Sequence, residues 1–302
     1  MNKYTHRLVE DELTIFLFHG VINENNSGIR NYTEKHILSK DFSNLLKQLY
    51  EKGTPVSLDE VANKWEQNCK LPKFPYAITF DDGFENNLTV ALPILKRYLT
   101  PATFYITTKF INENEMSWVD KVEACVDASS KQSLTYKGLF HDFEIVNNDS
   151  KINFMNKVRN HVKNTSHVDA DEFAKEICKS IQLENEPTII PEIDNKLTWE
   201  QIKIMDKSDL VSIGGHSHTH RIMSHLSKQE LENEISLSLD LLKTNLEKSI
   251  HHYSYPEGQS NSYSKDVIKV LKEYGIKICP TAIDGTNPSF SDLFHLKRIM
   301  IP

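Results

Sequence analysis

The sequence predicts an α/β protein built around a parallel sheet. Short apolar runs alternate along the chain with longer segments whose apolar residues recur at helical spacing, and this alternation is typical of repeated β/α units. The candidate strands are the apolar runs 13–18, 76–80, 103–107, 210–213, 252–255, 276–279 and 296–301. The candidate crossover helices are 41–50, 85–98, 228–246 and 265–274. This order of elements favours one sheet with helices packed against it.

Local patterns refine the element boundaries. Gly275 follows the last helical segment, at the position where a glycine commonly ends a helix. Residues 54–57 predict a short extended piece that leads into another helix. Residues from about 112 to 196 break the rhythm, because they predict a helix, a hairpin around Gly138 and two further helices. We interpret this stretch as an α-rich insertion within one domain that spans residues 1–302.

Composition and charge narrow the class of protein. The chain has 302 residues, of which 39% are hydrophobic and 25% are charged, a balance typical of a folded protein. Its net charge of −7 is spread along the chain without a basic block, so nucleic acid is not expected as a partner. Cys69, Cys125, Cys178 and Cys279 lie far apart, which indicates neither a zinc ribbon nor a disulfide framework.

The N-terminal residues predict a cytoplasmic protein. The first apolar run, 13–18, is too short for the core of a signal peptide, and acidic residues precede it where basic ones belong. No stretch approaches the roughly 20 apolar residues that span a bilayer. We therefore expect neither a signal peptide nor a transmembrane helix.

The first chemical motif is Thr-Phe-Asp-Asp-Gly-Phe, residues 79–84, which closes an apolar run. Ligands bind beyond the carboxyl ends of parallel strands, so the adjacent acids are expected in a site. Side chains of successive residues point in opposite directions on an extended backbone, so one acid can bind a metal while the other faces a water molecule. Gly83 permits a sharp turn. The alternative is a polar turn in which an aspartate merely caps a helix.

The second motif is Gly-Gly-His-Ser-His-Thr-His, residues 214–220, which also follows an apolar run. If a helical turn forms, His216 and His220 lie at i and i+4 on one face and can share a metal ion, while His218 points elsewhere. The alternative is a structural role for these imidazoles. Two imidazoles and a carboxylate suit a hydrolytic zinc site and also a non-haem iron oxygenase. The second acid of the first motif favours hydrolysis.

Together the two motifs resemble the polysaccharide deacetylase family of carbohydrate esterases, whose motifs are T-F-D-D-G and H-[ST]-x-x-H. Tyr-Pro-Glu-Gly at 255–258 resembles the family's Y-P-x-G segment, and Phe-His-Gly-Val at 18–21 and Leu-Thr-Trp-Glu at 197–200 resemble flanking segments. The resemblance covers about residues 13–111 and 197–302. It implies a distorted (β/α)7 barrel with a divalent metal, usually zinc, at the C-terminal ends of its strands.

The resemblance also implies roles for individual residues. Asp81 would be the catalytic base, and the metal ligands would be Asp82, His216 and His220. The backbone amide of Glu257 would help to hold the oxyanion.

Two departures from the family pattern lead to further hypotheses. Many relatives carry an arginine in the third motif that orients the catalytic aspartate, whereas this chain has Ser254 there. We hypothesise that Arg298, on the last predicted strand, replaces it. The family's usual proton donor, a late histidine, has no clear copy, because His295 lies at the wrong end of a strand. We favour His19 as the acid, the alternative being a structural histidine.

The predicted activity is metal-dependent hydrolysis of an N-acetyl group on an amino sugar. The carbohydrate substrate would be a glycan or a lipid-linked or nucleotide-linked precursor, in cell-surface polysaccharide biosynthesis. Removal of a formyl group is an alternative that uses the same site. A glycoside hydrolase, with a carboxylate pair drawn from Asp81, Asp82 and Glu257, and a non-catalytic sugar-binding barrel are further alternatives.

Overall fold

The computed structural model describes residues 4–25, 27–137, 139–165, 168–183 and 186–302. The chain forms two compact units. The first unit comprises residues 1–23, 35–115 and 196–302, and the second comprises residues 24–34 and 116–195. The second unit therefore contains most of the segment predicted as an insertion, together with a short piece from near the start of the chain.

A seven-stranded sheet forms the centre of the first unit. Its strands, numbered along the chain, are β1 Glu12–Phe18, β2 Thr54–Pro55, β3 Pro75–Phe80, β4 Ala102–Ile106, β5 Val211–Gly215, β6 Asn287–Pro288 and β7 Ile299–Met300. The order is β6-β1-β3-β4-β5, while β7 also pairs with β1 and β2 with β3. Every pair is parallel except β1 with β6. The fold is thus α/β with a parallel sheet, as predicted.

Three of the predicted strands are shorter in the structure than in the sequence pattern. Residues 252–255 and 276–279 contribute only isolated parallel bridges, Gly215 to Tyr253 and His252 to Ile278. Pro256 and Pro280 follow these bridges, and a proline has no N–H to extend a ladder. The third, at 296–301, is reduced to β7. Strand pairing among the described residues does not close into a ring, so the barrel stays a prediction.

Helices surround this sheet within the first unit. They are Ser39–Lys52, Leu58–Glu66, Leu92–Arg97, Thr108–Glu113, Trp199–Asp206, Lys228–Leu246 and Lys265–Glu273. A π-helical turn, Asn87–Ala91, precedes the third of them, and 3-10 turns lie at Thr5–Arg7 and Met223–His225. The helix Lys228–Leu246 begins with a capping box between Ser227 and Glu230, which satisfies its first backbone N–H groups. Gly275 has φ +84°, as a glycine that ends a helix requires.

An aromatic stack lies beneath the carboxyl ends of the strands. Phe18 and Phe80 are the last residues of β1 and β3, and their ring centroids are 5.3 Å apart. Phe104 of β4 stacks on Phe80 at 5.0 Å, and Phe42 meets Phe18 edge to face at 5.1 Å. All four rings are buried, and each contributes roughly 150–250 Å² of apolar area to the core. This rigid layer supports the residues that follow the strands.

The second unit has a separate core and is mainly helical. Its helices are Trp118–Ala128, Asn148–Asn164, Ala170–Ile181 and Pro191–Asp194. Strands Ser133–Tyr136 and Phe140–Glu144 pair antiparallel, while Gly138, around which the hairpin was predicted, lies outside the described residues.

The short strands Gly20–Ile22 and His36–Leu38 form a separate parallel pair in the first unit. Among the helices that the structure describes, none is long and apolar enough to cross a membrane.

Candidate active site and metal centre

The residues that follow the central strands meet at one edge of the sheet. The N–H of Asp81 donates to the carbonyl of Phe18 at 3.0 Å, and the N–H of His216 donates to the carbonyl of Ile106 at 2.9 Å. The ladder thus continues one residue beyond β3 and β5, which holds Asp81 and His216 at fixed heights. Both side chains are buried.

Asp82 lies in a tight turn directly after Asp81. Its φ is +79° and that of Gly83 is +84°, so two successive residues adopt the left-handed region. This conformation is uncommon for a residue with a side chain and is often found where function requires it. The turn separates the two carboxylates, so that each has its own set of partners.

Asp82, His216 and His220 form a cluster whose ligand atoms all lie within 4.8 Å of one another. Oδ1 of Asp82 is 3.4 Å from Nε2 of His220 and 3.7 Å from Nε2 of His216. This oxygen is buried and has no hydrogen-bond partner among the described residues. A buried carboxylate oxygen without a donor is costly, and one that faces two imidazole nitrogens fits a divalent cation.

The tautomer of His216 suits a metal ligand. Nδ1 of His216 lies 2.9 Å from the carbonyl oxygen of Ser254, and because a carbonyl only accepts hydrogen bonds, Nδ1 carries the hydrogen. Nε2 therefore presents a lone pair to the cluster, an arrangement that commonly orients metal-binding imidazoles. Burial lowers the pKa of His216, which keeps the ring neutral.

The helical turn that would place His216 and His220 on one face does not form. Ser217 has φ +62° and His220 has φ +61°, and left-handed residues do not belong to a right-handed helix. A loop brings His220 to the cluster instead, because its N–H donates to Oγ of Ser217 at 2.8 Å. Glu234, on the helix Lys228–Leu246, accepts a hydrogen bond from Oγ1 of Thr219 at 2.9 Å and anchors the loop.

His218 points away from the cluster. Its Nδ1 lies 2.9 Å from Oγ1 of Thr108. The structure therefore brings together the first and third histidines of the motif and directs the middle one to the helix Thr108–Glu113. The sequence predicted the same division from helical spacing, whereas a loop produces it.

Arg298 forms a two-pronged ion pair with Asp81. Nη1 donates to Oδ1 and Nη2 to Oδ2 of the carboxylate, both at 2.8 Å. The guanidinium group is fully buried, and its Nε donates to the carbonyl of Thr281 at 2.6 Å. Burial on its own raises the pKa of Asp81, but the charge of Arg298 and its hydrogen bonds to the carboxylate lower that pKa below its ordinary value. Asp81 is therefore ionised and held in one orientation.

Ser254 is a site residue that the sequence comparison treated only as a lost arginine. Its Oγ accepts a hydrogen bond from Nη2 of Arg298 at 2.8 Å, and its carbonyl accepts from His216. A small side chain at 254 leaves the space in which the Arg298 guanidinium group reaches Asp81. The signal in the sequence was a pair of features, a serine at 254 and an arginine on the last predicted strand.

Lys35 is a second site residue that the sequence did not indicate. Its Nζ lies 3.0 Å from Oδ2 of Asp82. Burial acts to raise the pKa of Asp82, but nearby positive charge, foremost that of Lys35, lowers it well below the ordinary value. Lys35 immediately precedes the strand His36–Leu38 and belongs to no motif, so its position depends on the tertiary fold.

His19 follows β1 at the same edge of the sheet. Its carbonyl accepts a hydrogen bond from Nδ2 of Asn87 at 2.9 Å, which fixes the backbone. Burial lowers the pKa of His19 to about 4, although the charges of Asp82 and Asp81 act in the opposite direction. At neutral pH the imidazole is therefore neutral.

Glu257 lies in a turn whose next position, Gly258, has room only for a glycine. Glu257 has φ +61° and Gly258 has φ +58°. The Gly258 carbonyl accepts from the N–H of Ala282 at 2.8 Å, and a Cβ at position 258 would lie 2.5 Å from that nitrogen. A backbone contact at Gly258 thus helps to hold the Tyr-Pro-Glu-Gly segment in place.

Fold and site together define an α/β protein with an Asp-His-His cluster and a buried acid at the carboxyl edge of a parallel sheet. The model of the polysaccharide deacetylase family matches residues 69–279. The chain belongs to that family. No curated protein sequence matches the chain.

Several solved structures share the fold. Deacetylase PplD of Streptococcus pyogenes, solved in complex with acetate, aligns with a TM-score of 0.63 and 17% identity over 97% of this chain and 93% of that one. IcaB of Ammonifex degensii aligns with a TM-score of 0.59 and 16% identity, over 98% and 94%. The BpsB deacetylase domain of Bordetella bronchiseptica aligns at 0.58 and 15%, over 96% of each chain. At these identities the similarity concerns the fold.

Proposed function

We propose that the protein is a metal-dependent hydrolase that removes an N-acetyl group from an amino sugar in a glycan or a glycan precursor. One observation carries the proposal: an ionised acid, Asp81, lies beside the cluster of Asp82, His216 and His220 at the carboxyl edge of the sheet. Family membership supports it. The acetate complex of PplD supports acetyl as the acyl group. The parallel bridges beyond β5 fit the distorted barrel expected of the family.

The three cluster residues would hold the cation, which we propose to be zinc. The donor set is two imidazoles and one carboxylate, which is common in hydrolytic zinc sites. When bound, the cation supplies positive charge that acidifies water and polarises the acyl oxygen.

Asp81 is the proposed base. Its Oδ2 lies 3.8 Å from Nε2 of His216, so the carboxylate borders the cluster without belonging to it. Arg298 holds both carboxylate oxygens and keeps the group ionised, so Asp81 can take a proton from the attacking water.

His19 is the proposed proton donor to the leaving amine. Because burial lowers the pKa of His19 to about 4, the ring is neutral before the reaction and must first receive the proton that Asp81 removes from water. An imidazolium with such a low pKa gives up its proton readily. The backbone N–H of Glu257 is the proposed second contact to the oxyanion.

Release of acetate from an N-acetylated amino-sugar oligomer tests the proposal. We expect acetate release by the purified protein, its loss after chelation, and its return on addition of Zn²⁺. Asp81→Asn should lower kcat at least about 10³-fold while zinc binding is retained, because the base lies outside the ligand set. Asp82→Asn is the matched control and should lose both.

Other outcomes assign other functions. Formate release from a formamido sugar, in place of acetate, would make the chain a deformylase. New reducing ends formed without metal would make it a glycoside hydrolase, and sugar binding without any release would make it a binding protein. Full activity in Asp81→Asn would contradict the mechanism.

A further inference from the structure

The two oxygens of the Asp82 carboxylate have different partners. Oδ1 faces the imidazoles of His216 and His220, whereas Oδ2 lies 3.0 Å from the ammonium group of Lys35. The side chains of Lys35 and Asp82 are 18% and 5% exposed, so water screens this pair much less than a surface pair. The lysine therefore contacts the metal-binding carboxylate directly.

The Lys35 side chain is held by its surroundings. Its Nζ lies 4.6 Å from the centre of the Phe84 ring, a favourable cation–π distance. The residue that follows it, His36, has Nδ1 at 2.9 Å from Nδ2 of Asn86 and begins the strand that pairs with Gly20–Ile22. These contacts fix the backbone from which the lysine reaches Asp82.

Lys35 also balances the buried charges. Asp81 and Asp82 carry two negative charges, which Arg298 and Lys35 match with two positive charges. A divalent cation therefore enters a centre that is already neutral and not one that carries two negative charges. Such a centre binds a cation less tightly than one with two uncompensated carboxylates, because the ammonium group of Lys35 repels the ion.

We propose that Lys35 is a positioning residue of the metal centre. By holding Oδ2 of Asp82, it restricts this carboxylate to one metal-binding oxygen and lowers the affinity of the centre for the cation. The inference rests on the proposed metal-dependent function, but it concerns binding of the ion and not the reaction. The same contact keeps Oδ1 of Asp82 directed at the two imidazoles.

Zinc affinity measured by competition with a chromophoric chelator tests the proposal. Lys35→Met retains much of the apolar stem but removes the charge, and we expect Zn²⁺ to bind about tenfold or more tightly than in the wild type. The increase in melting temperature on adding Zn²⁺ should also be larger in this variant, because a tighter ligand stabilises the folded state more. A purely structural lysine would not increase affinity when removed.

A second readout is the visible absorption of bound Co²⁺, whose intensity falls as the coordination number rises. We expect a weaker band in Lys35→Met, because Asp82 is then free to bind through both oxygens. Lys35→Arg keeps the charge, so its affinity for Zn²⁺ should stay within about threefold of the wild type.

Lys203→Met is the matched control, since it removes a lysine from a surface ion pair of 2.9 Å with Glu200. Its zinc affinity should not change. Equal affinity in Lys35→Met and this control, or weaker binding in Lys35→Met, would overturn the proposal. If Lys35→Met does not fold, Lys35→Gln with the same two readouts replaces it. Zinc binding without acetate release in the wild type would instead refute the proposed function and leave the inference intact.

Discussion

The two units each bury a cluster of charges, but the clusters differ in whether their carboxylate oxygens all have a hydrogen-bond donor. In the first unit, Asp82 keeps one oxygen without a hydrogen-bond donor among the described residues, and two imidazole nitrogens face it. In the second unit, Arg30 lies between Asp194, at 2.5 Å, and Glu123, at 3.5 Å, and all three side chains are buried.

The carboxylates of the second unit are satisfied by their own neighbours. Oδ1 of Asp194 accepts from Arg30, and Oδ2 accepts from the N–H of Ile190 at 2.7 Å. Oε1 of Glu123 accepts from the N–H of Asn31 at 2.9 Å. This network connects residues 24–34 to the helices of the same unit. The carboxylate oxygens named here accept hydrogen bonds within the unit.

The difference shows that a buried charge cluster does not by itself indicate a site. Both clusters combine an arginine with acids in a region of low dielectric, where removing one partner is costly. Of these two clusters, only the one with Asp82 has a carboxylate oxygen without a donor among the described residues, and two imidazole nitrogens lie opposite that oxygen. Variants at the two arginines separate these roles.

Arg298→Ala should have the largest effect, on both stability and activity. It leaves Asp81 buried without its partner, so we expect a loss of about 3–5 kcal/mol in the free energy of unfolding, measured by urea titration of the metal-free protein. The folded fraction should release acetate at least about 100-fold more slowly, because Asp81 is neither oriented nor held ionised.

Arg298→Lys serves as the control for charge. A single ammonium group replaces the two-pronged contact, so stability should recover more than the rate does. Unchanged acetate release by Arg298→Ala would show that Arg298 does not orient the base.

Arg30→Met should affect stability alone. It strands Asp194 and Glu123, and we expect a loss of about 3 kcal/mol in the free energy of unfolding. Acetate release per folded molecule should match the wild type. In the double variant Arg30→Met with Asp194→Asn, part of the lost stability should return, because one stranded charge is gone. A fall in kcat of the folded protein would mean that the second unit takes part in the reaction.

The sequence was most informative where local patterns decide the structure. Helix Lys228–Leu246 has the predicted bounds, because Ser227 and Glu230 mark its start and apolar periodicity continues to its end. The acids of Thr-Phe-Asp-Asp-Gly-Phe follow a strand as predicted, because a run of buried residues ending in Asp-Asp-Gly leaves few other conformations.

Contacts between distant segments were harder to predict. The helical spacing of His216 and His220 suggested a helix, but the hydrogen bonds that Ser217 and Glu234 accept from His220 and Thr219 select a loop. Lys35 reaches Asp82 only because the chain folds back after β1, and no periodicity records such a contact. The inclusion of residues 24–34 in the second unit likewise depends on contacts between distant segments, such as the ion pair of Arg30 with Asp194.

A pH titration of stability tests the contribution of His19, a residue of the first unit. The pKa of His19 is about 4 in the folded protein and about 6.5 in the unfolded chain. Between these values the unfolded chain binds more protons, so the metal-free protein should lose stability as the pH falls from about 6.5 to 4. The full contribution of His19 is about 3 kcal/mol.

His19→Gln removes this contribution. For each protein the quantity compared is the fall in the free energy of unfolding between pH 7.5 and pH 4.5. This fall should be smaller in the variant than in the wild type, because only the wild type has the His19 ring to protonate. Part of the slope should remain, because burial also lowers the pKa of His216. Urea titrations at the two pH values measure it, with Arg30→Met as the comparison from the second unit. Equal slopes in His19→Gln and the wild type would mean that His19 is hydrated, and a hydrated ring would be a weaker candidate for the proton donor.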